Sequence, residues 1–470
     1  MKKSYFALLV SVIFILATVG TSFAAMGEMG LKSKDIDVNF FGSLKTYPVI
    51  MQDFDFNDND TALDFTIDES GRGADHYIRN EFRMGWAGKG ENWSFLVILE
   101  SDFVLDKANG DRGGDSAHGD VMDSGMTGED FGIEKLELTY NFGAFMVETG
   151  WKSKFLDIKT GGLVYGDDHP YIGLKGKIGD IGTWESLYML IQEDIDAGID
   201  ADSGDWKVYT MKGIFNVGDM KVSPFYAFSD NRDSNDSQTH YFGVEAYGNL
   251  GIVTPRFEAV YVTGEQDDTN MDISAYAAYA SVEFNISKAC TPYIGGTFRS
   301  GDGDANDGDI DAYNSITNIA RYTPTFGMEN ALNYLYNATL GSHLYANDFD
   351  MLGGAGSGYG GLSNSAGANS PGMIALGMGC KGSIDKWSYK TQIQYFMFED
   401  QGALEDVYGK NIDDEMGLQL DLSATYKFSN HFSLGNTFSA FEPGDAIEDM
   451  KGKDFDQTAF INTIEMKWKW

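Results

Sequence analysis

The chain has 470 residues, a formal charge of −37, 65 aromatic residues (32 Phe, 25 Tyr, 8 Trp), 57 Gly and only 8 Pro. Acidity on this scale excludes nucleic acid as a partner. Two cysteines cannot staple a chain of this length, and six scattered histidines include no pair at metal-ligand spacing. No nucleophile elbow occurs, so no catalytic site is expected.

Residues 1–24 read as a cleaved export signal. Lys2 and Lys3 form a positive head, Tyr5 to Val19 is apolar, and Ser22-Phe23-Ala24 supplies small residues at the cleavage positions. No later stretch has the run of about 18 apolar residues that a membrane-spanning helix needs. From residue 25 to 470 the texture is uniform and shows no linker. The repeating unit is 9 to 14 residues of alternating polarity ending in Gly, Asn, Asp or Ser. Ile78, Phe82, Met84 and Trp86 alternate with Arg79, Glu81 and Arg83. Leu418, Leu420 and Leu422 alternate with Gln419, Asp421 and Ser423.

This pattern predicts an all-β fold, a single antiparallel transmembrane β-barrel. Eighteen strands are expected, at 36–50, 76–87, 93–103, 132–142, 145–152, 170–178, 183–193, 206–217, 220–229, 239–249, 252–263, 272–285, 289–299, 373–381, 386–398, 416–428, 431–441 and 457–470. The connections alternate between short turns and loops of 8 or more residues, as expected of short periplasmic turns and long extracellular loops. An even strand count lets the sheet close without an edge. Pro170, Pro224, Pro255 and Pro292 fall near strand starts, and Pro48 near a strand end.

The strand map separates the charges. Fifty of the 71 acids fall in the nine outer loops with 10 bases beside them, so the mouth is acidic and the wall nearly neutral. The expected pore-lining residues are Arg79, Glu81, Arg83, Glu100, Asp102, Lys152, Lys175, Arg256, Glu258 and Arg299. Such mixed charge either orients dipolar solutes or pairs to stiffen the wall. Loop 300–372 is long enough to act as a plug or lid. At its head, Asp302, Asp304 and Asn306 offer oxygens to a structural Ca²⁺ or form a solvated acidic turn. Residues 331–340 have helical spacing. Cys290 and Cys380 fall at the inner ends of neighbouring strands, on the lipid-facing side, and are expected to form a cross-strand disulfide.

The last strand ends Ile464-Glu465-Met466-Lys467-Trp468-Lys469-Trp470. Strand count, loop alternation and terminal aromatic together resemble bacterial outer-membrane porins over nearly the whole mature chain. Eighteen strands are similar to the sugar-specific, basic-amino-acid-specific and alginate-export channels, and Gly301-Asp302-Gly303-Asp304 looks like the last group. The resemblance implies passive or weakly selective diffusion of small hydrophilic solutes without a cofactor, in the outer membrane of a Gram-negative bacterium. Its implied partners are outer-membrane lipid, lipopolysaccharide, the barrel-assembly machinery and two further copies in a homotrimer. In order along the chain, loop 153–169 resembles the porin constriction loop. Lys154, Asp157, Lys159, Asp167 and Asp168 would then narrow the lumen, whereas a plain surface loop would leave them outside. A second function from another class is a barrel that sheathes a periplasmic partner such as an electron-transfer protein.

Overall fold

Alternating side chains need an extended backbone, and the computed structural model supplies it. It describes residues 30–32, 36–53, 56, 76–104, 131–192, 204–232, 237–267, 270–304, 307–317, 322–331 and 370–470. The expected signal peptide, Asn306 and the helical stretch beyond Ala331 lie outside the described residues.

Eighteen strands form the wall. In chain order they are β1 (Asp37–Gln52), β2 (His76–Lys89), β3 (Trp93–Val104), β4 (Phe131–Asn141), β5 (Phe145–Phe155) and β6 (Gly166–Ile178). Next come β7 (Gly182–Gln192), β8 (Trp206–Val217), β9 (Met220–Asn231), β10 (Ser237–Gly248), β11 (Val253–Gln266) and β12 (Met271–Phe284). The circle ends with β13 (Thr291–Arg299), β14 (Met373–Ile384), β15 (Trp387–Met397), β16 (Glu415–Lys427), β17 (Phe432–Pro443) and β18 (Ala459–Lys469). Each strand pairs antiparallel with its neighbours, and β1 pairs with β18, so the sheet closes. Two short strands accompany the wall. Gly30–Lys32 folds back on Asp37–Asn39, and Asp309–Ile310 runs parallel to the start of β12.

The eight inner turns span two to six residues. Two outer loops are shorter than expected, with only 232–236 and 267–270 left outside the ladder. The β11–β12 pairing runs out to Gln266 and Met271. Polar residues at these tips meet water, which does not stop the ladder.

Proline marks gaps in the hydrogen bonding. Having no N–H, it cannot serve a ladder on both sides. Pairing of β6 with β7 begins only at Tyr171, after Pro170. Pairing of β11 with β10 begins at Arg256, after Pro255, and that of β13 with β12 at Tyr293, after Pro292. The β8–β9 register skips Pro224, and the β1–β18 register skips Pro48.

Parity separates the two faces. On β16 the outward Leu418, Leu420 and Leu422 are exposed, while the inward Gln419 and Asp421 are fully buried. Similarly, on β11, Phe257 and Tyr261 face outward and Glu258, Val260 and Val262 inward. An apolar exterior on a closed barrel suits a lipid bilayer. A Lys or Arg at mid-depth on that face costs about 2–4 kcal/mol.

Two apolar clusters fill parts of the interior. In the first, helices α1 (Gly402–Tyr408) and α2 (Asp445–Lys451), from the last two outer loops, pack Ala403, Leu404, Ala446 and Ile447 against Phe396, Phe441 and Ile461 of the wall. In the second, Leu156, Leu163, Val164 and Tyr165 from loop 156–165, with Tyr313 and Ile316 from the long loop, pack on the inner face of β6–β12. Tyr313 and Ile316 of the long loop thus lie inside the barrel.

Candidate functional site: the charged inner wall and the loops folded on it

The barrel register sets charges of opposite sign beside one another. Lys45 lies directly across from Glu81, and Arg83 across from Glu100. The Lys45 ammonium is 2.8 Å from Glu81. The Arg83 guanidinium reaches Glu81 at 3.0 Å, Glu100 at 2.9 Å and Glu134 at 3.1 Å. Further round, Lys152 pairs with Glu137 at 2.9 Å, Lys154 with Glu148 at 2.9 Å, and Lys175 with Glu148 at 3.1 Å. Arg256 and Lys381 share Glu283, at 3.2 and 2.8 Å. These pairs form a belt of alternating sign along the inner face of β1 to β6, with a further cluster on β11, β12 and β14.

One register contact breaks the alternation, because Glu245 stands directly across from Glu258. Like charges in such a position repel, and two different devices relieve them. Lys212 takes Glu245 at 2.5 Å. Glu258 receives the tip of loop 156–165: the Thr160 hydroxyl at 2.6 Å, the Gly161 N–H at 2.8 Å and the Leu163 N–H at 3.4 Å. Arg256 donates to the Lys159 carbonyl at 2.7 Å, and Lys212 to that of Leu156. The loop thus folds into the barrel and docks on strands β8 to β11.

The long loop adds a second inward layer. The Ile316 N–H donates to the Val164 carbonyl at 3.0 Å and the Tyr313 hydroxyl to that of Leu163 at 2.8 Å. Farther along, the wall holds the backbone of Pro324 to Gly327. Lys381 donates to the Pro324 carbonyl at 2.8 Å, Gln392 to that of Phe326 at 2.9 Å, and Lys390 to that of Gly327. Thr325 and Ser281 are hydroxyl to hydroxyl at 3.0 Å. Lys381 and Lys390 are register partners in the inner part of the β14–β15 hairpin. Pro324 to Gly327 thus form a strap in the inner part of the barrel.

Several expected placements need correction. Lys154 is on the wall in β5, and Asp167 and Asp168 lie in β6, because both strands extend beyond the expected ends. Asp157 is buried in the loop's own turn, where it accepts the Val164 N–H at 2.6 Å, so it lines no passage. Of the five, Lys159 alone stands exposed on the inward loop. Glu258 and Arg299 face inward but are covered, Glu258 by loop 156–165 and Arg299 by Tyr313, whose ring centre lies 6.0 Å from the guanidinium carbon. Glu81 is buried by its own cation partners. The side chain of Asp102 lies outside the described residues; its backbone pairs with Glu81. Arg79, Arg83, Glu100, Lys152, Lys175 and Arg256 keep partial exposure. Apart from Arg256, they sit on β2, β3, β5 and β6.

Glu134 and Lys135 escaped sequence reasoning because adjacent residues should face opposite ways. A bulge against Ile98–Leu99 inserts Glu134 as an extra residue. Both then join the inner belt, with Lys135 4.0 Å from Asp168 and 3.4 Å from Glu134. Lys45 was detectable in principle, since it alternates with Tyr47 and Val49 on the inner face.

At the head of the long loop, the Asp302 carboxylate accepts the Asp304 N–H at 3.2 Å. Among the described residues no three carboxylate, histidine or cysteine side chains converge as a metal site. Near the inner ends of β13 and β14, Cys290 and Cys380 are disulfide-bonded with Cα atoms 6.1 Å apart.

The fold has counterparts among solved structures. OccAB2 of Acinetobacter baumannii matches with a TM-score of 0.53 over 92% of this chain and 98% of its own, at 9% identity. OccK11 (OpdR) of Pseudomonas aeruginosa matches at 0.51 over 92% and 95%, at 8% identity. OpdK of P. aeruginosa with vanillate matches at 0.53 over 92% and 98%, at 8% identity. The fold is the closed barrel of these solved proteins. The sequence matches no family model and no curated protein. Within this barrel, the wall carries the paired charges and the outer loops the excess acid. With the loop bounds of the structure, the nine loops hold 45 of the 71 acids and 9 of the 34 bases.

Proposed function

We propose that the protein is a passive, weakly selective channel for small hydrophilic solutes in the outer membrane of a Gram-negative bacterium. The observation that carries this reading is a set of partly exposed, paired charges on the inner face of β2 to β6. There Arg83, Lys152 and Lys175 keep about a third of their side-chain surface exposed while each is held by carboxylates within 4 Å. A solute passing such a wall meets fixed charges of both signs at short spacing. That arrangement favours polar over apolar solutes and discriminates weakly by net charge. The apolar exterior and the likeness to solved outer-membrane channels support the same reading. Diffusion needs no catalytic group.

A sheath around a periplasmic partner needs a wide, empty lumen. Here the inner face of β7 to β18 is largely occupied by the chain's own loops and helices, so the channel reading is preferred. Single-channel recording in a planar bilayer tests it. An ohmic, stepwise conductance is expected. A barrel that inserts without conducting would overturn the proposal.

A further inference from the structure

Away from the lumen, one covalent bond lies where the chain has its hardest pairing problem. Strands β13 and β14 are neighbours, yet 73 residues (300–372) separate them in sequence. The next longest outer connection has 26 residues, 105–130. Cys290 and Cys380 are the chain's two cysteines, and their bond spans this connection with a sequence separation of 90. Cys380 shares the parity of the outward Leu376 and Met378, so the bond lies on the outer surface, away from the solute path. The backbone is fitted to the approach. The Ser383 N–H donates to the Lys288 carbonyl at 2.8 Å, and Gly382 lies so close to the Ala289 carbonyl that a Cβ there would collide with it.

We propose that this disulfide is an assembly clamp, formed before the barrel closes, which holds β13 beside β14 while the sheet is completed. The proposal rests on the outer-membrane reading above, because that route passes through an oxidising compartment. The bond forms by thiol–disulfide exchange with an oxidised dithiol protein. The two thiols lose two protons and two electrons, one S–S bond forms, and the oxidant's disulfide is reduced to two thiols. Loop closure becomes less favourable with about the 3/2 power of length, so joining ends across 73 residues is about fivefold harder than across 26. With the clamp in place, the pairing becomes a local search.

The test is refolding of the purified full chain. Oxidised and reduced chains, unfolded in urea, are diluted into phosphatidylcholine vesicles, and folding is followed by heat-modifiable gel mobility. The oxidised chain is expected to fold about fivefold faster or more, and equal or slower folding would overturn the clamp. The Cys290→Ser/Cys380→Ser double variant should fold at the slow rate with or without reductant; a fast rate would also overturn it. In cells, pulse-labelled chains quenched with an alkylating reagent should already be oxidised while still unfolded. A bond confined to the folded species would sink the idea. Conductance of the refolded barrel is read separately, and its absence would count against the channel alone.

Discussion

Thr160 and Glu258 are 98 residues apart in sequence and joined by a 2.6 Å hydrogen bond inside the barrel. The bond answers a problem created by register, since Glu258 faces Glu245 across the β10–β11 pair. Removing the loop tip would leave a carboxylate beside its like-charged neighbour with fewer donors. The loop is therefore held by hydrogen bonds to the wall as well as by its own packing.

Thr160→Val keeps the shape and removes the hydroxyl donor. A hydrogen bond contributes about 0.5–1.5 kcal/mol net, so loop docking should weaken by about that amount. The backbone donors of Gly161 and Leu163 remain, and the barrel should still fold. Single-channel traces are expected to show larger or noisier conductance than the wild type. Unchanged conductance and noise would show that this loop does not limit the passage.

The strap from Pro324 to Gly327 invites a reversible lock. The Ser281 and Thr325 hydroxyls are 3.0 Å apart, so Ser281→Cys/Thr325→Cys brings two sulfurs within bonding reach. Oxidation should hold the strap against the wall and suppress fluctuations in current, and reduction should restore them. Identical traces in both states would mean that the strap does not move during conduction.

The belt predicts selectivity that depends on which charge remains uncovered. Arg83→Gln and Lys152→Gln each remove a positive head that contacts water. Each should raise the permeability of K⁺ relative to Cl⁻ by about threefold, equivalent to under 1 kcal/mol for a water-facing charge. At 1 M salt the screening length is about 3 Å. A shift that persists there marks a charge close to the path of the ions, and one that vanishes marks a charge screened from them. A reversal potential unmoved by both variants would remove these residues from the path.

The acidic head of the long loop predicts a pH effect of definite sign. Burial pushes the Asp302 carboxyl up from 3.8 to about 6, and the nearby Asp307 and Asp311 push the same way against the N–H groups of Asp304 and Asp311. A raised acid stabilises the packed loop fully below its unfolded value, and that contribution is lost as pH rises through about 6. The Asp302 N–H bonds the Ser370 carbonyl at 2.7 Å and so joins the two ends of the loop. Amide hydrogen exchange around Asp302, corrected for intrinsic pH dependence, should be slower at pH 5 than at pH 8. Asp302→Asn should flatten the difference, and equal protection at both pH values would refute the assignment.

Much of the wall was legible because a strand has a period of two. Leu418, Leu420 and Leu422 announce a lipid face without any partner being known, and the turns after Lys89, Ile178 and Val217 follow from short polar or glycine-rich breaks. The interior was less legible. Glu134 turns inward because of a bulge opposite Ile98–Leu99, which no periodic pattern records. Nor does any local signal tie Thr160 to Glu258 or Pro324 to Lys381. These contacts depend on which strands the closed barrel brings together. Asp157 misled because a loop carboxylate suggests solvent, whereas this one closes its own turn on Val164.

The seam of the barrel gives a last prediction. The Gly42 N–H bonds the Trp470 carbonyl at 3.1 Å, and the Trp470 N–H bonds the Gly42 carbonyl at 3.1 Å. The indole lies over Gly42, where a Cβ would sit 2.4 Å from a ring carbon, and its ring centre is 5.9 Å from that of Phe82. Glycine is therefore the residue that lets the aromatic seat across β1 and β18. Gly42→Val must displace the indole or the backbone, and overpacking of this kind costs about 1–3 kcal/mol. Trp470→Ala should lose stacking without the clash, so the glycine variant in a Trp470→Ala background should recover part of its loss. Urea or heat midpoints of vesicle-inserted barrels, read by gel mobility, measure all three. Strict additivity of the two substitutions would mean that Gly42 and Trp470 do not act together at the seam.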